Sequence, residues 1–425
     1  MKILLINNFH YYRAGAERAY LDMAKILEKN GHTVAFFSTN HSQTIPNKWQ
    51  KYFVKYYELS DPKKYSFWMK VKITLGFFYK FEARRNLRKL LKEFQPDVAH
   101  LHNIFHHLTP AVIDELKKNN IPVVMTLHDF RFLSPNAILF SKGKNWEKDK
   151  GGKFYRCILD RCVHNSYAQS LITTLETYIH HFRRSMEKVD ILLSPSRFLI
   201  EKSKELGFQK EIEKLNNFIL FQSQDEKSVK NLEKIERPNW LPKGDYISFI
   251  ARMSREKGAE DLLLAFSKVK DKTLSLVMMG DGPLKEKLIS LAEEMGIKKQ
   301  VKFFDYDKKK HDEIQKHSLA VLNPSRCYEN APYGILDAFL MAKPVIGTNH
   351  GGQKELIEDG ENGFVFELGN AKELSEKIEK LTGDRDMARR MGERGKKLIE
   401  EKYQEKVLLE ELLNIYQKAI ERNKQ

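Results

Sequence analysis

Four loops in the second half of the chain gather side chains suited to phosphate and sugar. The first, Ala251-Arg252-Met253-Ser254-Arg255-Glu256-Lys257-Gly258, sets two cations, Arg252 and Lys257, within reach of one diphosphate just ahead of a helix start. There the free backbone N–H groups and the helix dipole also favour an anion. The second, Gly280-Asp281-Gly282-Pro283, has glycines that let the backbone approach a ligand closely. The third runs Asn323-Pro324-Ser325-Arg326-Cys327-Tyr328-Glu329-Asn330-Ala331-Pro332-Tyr333-Gly334 into a helix that carries Asp337, and the fourth is Thr348-Asn349-His350-Gly351-Gly352. Glu329 and Asp337 form an acid-x(7)-acid pair. With 57 Asp plus Glu in 425 residues, any acid has roughly a one-in-eight chance of such a partner, so the weight rests on context. A loop acid before a helix and a second acid near that helix's beginning suit opposite ends of a ligand held at the helix N-terminus.

Other groupings invite chemistry and read more plainly. His100, His102, His106, His107 and His128 cluster in the sequence, but a zinc site needs about three or four converging ligands and no cysteine or carboxylate pair accompanies them at a usual spacing. Cys157, Cys162 and His164 make a loose C-x(4)-C-x-H set, read as reduced loop thiols. Asp305-Tyr306-Asp307 and Asp384-Arg385-Asp386 read as surface acids that do not follow a strand into a cleft. No metal is expected.

The elements that position these loops alternate. Ile3 to Ile6 is a short unbroken apolar run, as in a parallel strand buried on both faces, and Tyr20, Met23, Ala24 and Leu27 follow at helical spacing. Val34 to Phe37, Val98 to Leu101, Val123 to Leu127 and Ile191 to Leu193 continue as strands, with a helix over Ala111 to Lys118. The pattern restarts at Tyr246 to Ile250 and proceeds through Ala259 to Phe266, Leu274 to Met279, Leu284 to Met295, Ala320 to Leu322, Val345 to Gly347 and Phe364 to Phe366. Residues 207–244 are polar and weakly periodic, with Pro238 and Pro242, so a boundary is expected there. The reading is α/β with two doubly wound parallel-sheet domains, 1–206 and 207–406, facing a cleft, and a last helix around 407–425 that crosses back.

The charge is uneven. Lys plus Arg number 73 and the formal net charge is +16, of which residues 48–92 supply +10, thirteen Lys or Arg against Glu58, Asp61 and Glu82. Twelve aromatic residues are interleaved there, among them Trp49, Phe53, Phe67, Trp68, Tyr79 and Phe81. Basic residues mixed with interfacial aromatics suit an anionic membrane surface, with Lys70, Lys72, Arg84, Arg85 and Arg88 facing lipid. A solvated helical face with its aromatics in the core is the plainer alternative, and nucleic acid is not expected. No run approaches the roughly 20 apolar residues of a membrane span. The first apolar run is shorter than a signal peptide's and three cysteines make no disulfide framework, so the chain is expected in the cytosol, peripheral on the inner face of the membrane.

The ordered set Gly15-Ala16-Glu17, His128 after a strand, Arg252 with Lys257-Gly258, Gly280-Asp281-Gly282-Pro283, and Pro324-Ser325 followed by Glu329 through Asp337 resembles the retaining glycosyltransferases of family 4. The resemblance implies a GT-B architecture, an acceptor bound by the first domain, a nucleoside-diphosphate-sugar bound by the second, and no metal or other cofactor. It implies that Glu329 holds hydroxyls of the donor sugar, that Asp337 holds the ribose, and that Arg252 and Lys257 hold the diphosphate. The donor site then also draws on Gly280, Asp281, Asn330, Ala331, Pro332, Tyr333 and Gly334, with His128 and the Gly15 loop near the transferring sugar. Asp337 stands where the family has glutamate, one methylene longer. Ala14-Gly15 replaces Gly-Gly, and Ala251-Arg252 replaces Gly-Arg. The expected activity is transfer of a sugar to a saccharide acceptor, lipid-linked in cell-surface polysaccharide synthesis. The alternatives are another GT-B enzyme such as a nucleotide-sugar epimerase, or a non-catalytic basic protein that binds membrane or nucleic acid.

Overall fold

The computed structural model describes residues 1–58, 64–220 and 235–424. Asp61 and Lys63 of the basic segment and residues 221–234 of the expected linker lie outside the described residues. The chain forms two compact units: residues 1–142, 146–219 and 405–425 make one, and residues 143–145 with 220–404 make the other.

The first unit is built on six parallel strands, β1 (Lys2–Ile6), β2 (Thr33–Phe37), β3 (Val98–Leu101), β4 (Val123–Thr126), β5 (Ile191–Ser194) and β6 (Ile212–Lys214), in the order β2-β1-β3-β4-β5-β6. Ile3 to Ile6 are fully buried because helices cover both faces, which is why the run does not alternate. Helix α1 (Gly15–Lys29) turns Ala19, Tyr20, Met23, Ala24 and Leu27 inward. β6 corrects the expected boundary: residues 207–219, assigned to the second half from their polarity, belong to the first unit and supply its edge strand β6, where half-exposed polar residues are tolerated.

The basic segment divides between two helices, α2 (Phe67–Phe78) and α3 (Phe81–Phe94). α3 is amphipathic and buries Ala83, Leu87, Leu90, Leu91 and Phe94. Its Arg84 and Arg88 do not face lipid as expected. Both reach Glu115 of α4 (Ala111–Lys118), at 2.9 Å and 2.6 Å, and the Glu115 side chain is fully buried. A carboxylate inside the fold needs that pairing, so these arginines are structural. The aromatics separate in the same way: Trp49 and Phe53 are core residues, whereas Phe67, Trp68 and Phe81 are exposed.

Cys157 and Cys162 are joined in a disulfide, correcting the reading as reduced thiols. A short helix, Arg156–Asp160, closed by Arg161 in the left-handed conformation, brings their Cα atoms to 4.9 Å, a bridging distance.

The second unit has β7 (Tyr246–Ile250), β8 (Ser275–Met279), β9 (Val301–Phe304), β10 (Ala320–Asn323), β11 (Val345–Thr348) and β12 (Gly363–Phe366), all parallel, in the order β9-β8-β7-β10-β11-β12. That order reverses direction between β7 and β10, and ligands bind in such sheets outside the carboxyl ends of the strands at the reversal. Each unit is thus a doubly wound parallel-sheet domain, as expected. Asp305 follows β9 directly but is a surface acid, as expected of that triplet. It is exposed and paired with Lys285, and Asp307 caps the next helix, α7 (Lys308–His317), accepting from the Lys310 N–H at 2.8 Å.

The final helix, α9 (Glu405–Lys424), packs in the first unit against α1, β3 and β4. It buries Leu408, Leu412, Ile415, Tyr416 and Ala419, and Glu405 meets Lys29 at 3.1 Å. Among the described residues no helix is long and apolar enough to cross a membrane.

Candidate functional site

In the second unit the loops after β7 and β10 flank the reversal and are fastened to each other. After β7 the chain makes a single tight turn, Arg255–Lys257, and passes through Gly258 at φ +70° into α6 (Ala259–Ser267). Gly258 is required twice over, by its left-handed backbone and because a Cβ there would overlap the Pro324 carbonyl. The Glu256 carbonyl accepts from the Arg326 N–H at 2.8 Å, and the Arg326 side chain reaches Asp261 at 2.7 Å. Two loops distant in sequence thus form one rigid surface.

On that surface Lys257 Nζ donates to Glu329 Oε1 at 2.5 Å, and Ser325 Oγ donates to the same oxygen at 2.6 Å. Burial alone would raise the Glu329 carboxyl. The Lys257 ammonium and the Ser325 hydroxyl overcome it and hold the carboxyl below the usual range, so it is ionised. Burial would likewise lower Lys257, and Glu329 holds it well above its ordinary value. The loop after β11 closes the third side: the Gly352 N–H donates to the Glu329 carbonyl at 2.7 Å, and Thr348 Oγ1 donates to the Ser325 carbonyl at 2.9 Å. His350 stacks on Tyr328, ring centroids 4.4 Å apart.

The other expected donor residues are distributed around this core. Arg252 is exposed at the end of β7. Asn330, Ala331, Pro332 and Gly334 are partly exposed on the approach to α8 (Tyr333–Leu340), whose first residue, Tyr333, is buried. Gly280 donates its N–H to the Phe304 carbonyl at 3.0 Å, and Asp281 is exposed with Lys285 at 3.8 Å. Asp337 is the fifth residue of α8 rather than one near its beginning. It is buried, with an oxygen 4.0 Å from His311 Nε2 of α7. The structure thus brings Glu329 and Lys257 together and sets Asp337 a helical turn deeper.

In the first unit β3 and β4 present a column of imidazoles toward their carboxyl ends. His100 and His102 stack at 4.8 Å, and His102 and His128 at 5.1 Å. His102 Nδ1 and His128 Nε2 share a hydrogen bond at 2.8 Å, while His102 Nε2 is buried without a partner among the described residues. His100 is held at both nitrogens, by Tyr416 OH at 2.8 Å and Thr126 Oγ1 at 2.7 Å. Burial lowers His128 to about 4 and His100 to about 3, with the neighbouring His128 adding to the shift of His100, so both rings are neutral near pH 7. Gly15 opens α1, and Glu17 in its first turn is buried, which raises its carboxyl. His10 was not singled out in the sequence. It bonds Tyr20 OH through Nδ1 at 2.8 Å, and burial takes it to about 4. Its signal was its place four residues past a buried strand, where α/β sheets keep ligand-facing residues. Among the described residues no three His, Cys, Asp or Glu side chains converge as a metal site would require.

Residues 230–398 match the family model described as glycosyl transferases group 1, and residues 13–219 match the one described as glycosyltransferase family 4. The chain belongs to the GT-B glycosyltransferases. Among curated proteins similar to this GT-B chain is a putative glycosyltransferase, EpsD, of Bacillus subtilis, 27% identical over 43% of this chain and 48% of that protein. The capsular polysaccharide biosynthesis glycosyltransferase CapM of Staphylococcus aureus is 23% identical over 74% of this chain and 78% of that protein. The chain spans about half to three fifths of the length of the first three curated relatives it matches, 48%, 61% and 60%. Among solved structures, the fold is similar to a sucrose-phosphate synthase from Thermosynechococcus elongatus, with a TM-score of 0.70, 15% identity and 98% of each chain covered. It is also similar to HepE of Anabaena in complex with UDP and glucose, with a TM-score of 0.62, 15% identity and coverage of 98% of this chain and 99% of that one.

Proposed function

We propose that the chain is a retaining, metal-independent glycosyltransferase of family 4 that moves a sugar from a nucleoside-diphosphate-sugar to a saccharide acceptor. The acceptor is lipid-linked, in cell-surface polysaccharide synthesis at the cytoplasmic face of the membrane. The observation that carries this reading is the Lys257–Glu329 pair, fastened by Ser325 and the crossed loops at the reversal of the second sheet. Breaking a glycosyl phosphate bond builds positive charge on the sugar ring and negative charge on the departing diphosphate. Arg252, Lys257 and the entrance to α6 meet the negative charge. The ionised Glu329, held in one orientation, accepts hydrogen bonds from donor-sugar hydroxyls, and Asp337 takes the ribose. Cations already in place for the diphosphate let the reaction proceed without a divalent ion. In the first unit, the neutral His128, the Gly15 entrance to α1 and the buried Glu17 serve the acceptor and the transferring sugar. The pathway rests on what relatives such as CapM are named for.

A thermal-shift panel of UDP, GDP, ADP and their sugars tests the donor site. Saturable stabilisation by one nucleotide family, weakened at least tenfold in midpoint concentration by Arg252→Ala, is expected. Absence of stabilisation by every nucleotide sinks the reading. With the preferred donor, NMR of the product should show the donor's anomeric configuration, and excess EDTA should leave the rate unchanged. An inverted anomer or a chelator-sensitive rate would refute those two parts separately.

A further inference from the structure

Helix α2 is apolar on nearly all sides, yet of its twelve residues only Ile73 is buried. A helix of that composition ordinarily lies inside a protein or against a nonaqueous partner. Phe67 is 69% exposed, Trp68 78% and Leu75 60%. It packs beside α5 (Tyr167–Phe182), a helix absent from the sequence reading, and there Leu171, Leu175 and Phe182 are exposed as well, Phe182 by 76%. Both helices belong to the first unit.

The exposed charge on these two helices has one sign. From Lys64 to Phe81 there is no acidic residue, while Lys70 and Lys72 stand exposed among the apolar side chains. The single acid of α5, Glu176, is fully buried and paired with Arg131 and His106. At the margin, Glu82 accepts from the Lys55 N–H, and Asp114 is taken up by Arg183 and Lys188. Beyond it a shallow depression is lined by Phe81, Glu82, Arg84, Arg85 and Arg88, three cations to one acid.

We propose that α2 and α5 together form a docking face for an anionic lipid bilayer, with Trp68, Leu75 and Phe182 entering the interfacial layer and Lys70 and Lys72 meeting headgroup phosphates. Exposed Trp and Leu with interspersed lysines, and no exposed acid on either helix, match what an anionic interface binds. A second copy of the chain is the poorer occupant, because a two-fold contact through this face would bring the lysines of both copies together. The face does not depend on the donor-site reading: nucleotide stabilisation reports on one and lipid binding on the other.

Trp68 provides the measurement, because Trp49 and Trp146 are buried and Trp240 is half-buried. Vesicles of phosphatidylcholine containing one third phosphatidylglycerol should shift the emission of the full chain to the blue and carry it to the top of a flotation gradient. Pure phosphatidylcholine should do so far less. Trp68→Phe should abolish the shift but keep flotation. Trp68→Ser with Leu75→Ser should weaken flotation on the order of tenfold or more, and Lys70→Gln with Lys72→Gln roughly 25-fold. All these sites are exposed, so melting temperature and nucleotide stabilisation should not move. Absence of flotation on anionic vesicles, equal flotation on both lipids, or sedimentation as a dimer that the Ser variants dissociate would overturn the proposal.

Discussion

Lys257 and Glu329 stabilise each other's charge, and removing one changes the sign of the other's response to pH. In the native chain the folded Glu329 titrates below its unfolded value. Its contribution is therefore present above about pH 4.5 and is lost as pH falls through the lower folded value. In Lys257→Met, only the Ser325 hydroxyl still opposes burial and the carboxyl rises. The variant should be about 1–3 kcal/mol less stable near pH 7, with the deficit shrinking in acid and largely relieved by adding Glu329→Gln. Thermal melts across pH check this, and a deficit that does not change with pH contradicts it. The histidines act in the same direction over a higher range. His10 is lowered to about 4 and His100 to about 3, so their stabilisation is complete above the unfolded value near 6.5 and declines as pH falls toward the folded values. At pH 5 each costs about 2 kcal/mol. Proton NMR should find both rings neutral at pH 5.5. Residues of this kind were partly legible in the sequence. Glu329, Lys257 and His128 stood out because a strand end puts polar groups where ligands bind, but the hydrogen bond joining His102 to His128 pairs residues 26 apart, and no spacing rule anticipates it.

Among the elements, α9 shows how a unit is completed from a distance. Tyr416 contributes its hydroxyl to His100 from 316 residues away, and the helix covers strands that would otherwise face water. Tyr416→Phe should cost about 1 kcal/mol by leaving a buried imidazole nitrogen unpaired. Truncation after Gln404 should make the first unit, residues 1–219, cleavable by protease while residues 235–404 stay protected, and equal protection of both would contradict the placement. Periodicity identified strands and helices that bury one face: Ala111–Lys118 and Tyr246–Ile250 have the expected bounds. It failed where burial is incomplete. α2 has no apolar stripe because it is apolar on nearly all sides, α5 has polar residues such as Thr174 and Thr177 in its buried face, and β6 is a three-residue edge. The charge run was legible as a run, but its division into Arg84 and Arg88 for Glu115 and Lys70 and Lys72 for solvent depends on packing. Arg84→Ala with Arg88→Ala should therefore lower the melting temperature by leaving the Glu115 carboxylate without its partners, whereas Lys70→Gln with Lys72→Gln should leave it unchanged.

At the scale of the molecule, two sheets of similar build carry different chemistry at the carboxyl ends of their strands, imidazoles in one and a lysine–carboxylate pair in the other. The central claim is that the second of these holds a nucleoside-diphosphate-sugar and that Glu329 acts on its sugar. The most direct test follows release of nucleoside diphosphate from the preferred donor, by the full chain and by Glu329→Gln, with binding of the nucleoside diphosphate alone measured in parallel. The account predicts that the variant binds the nucleotide within a few-fold of the native affinity and releases it from the sugar at least ~10²-fold more slowly. Turnover at the native rate by Glu329→Gln would contradict it.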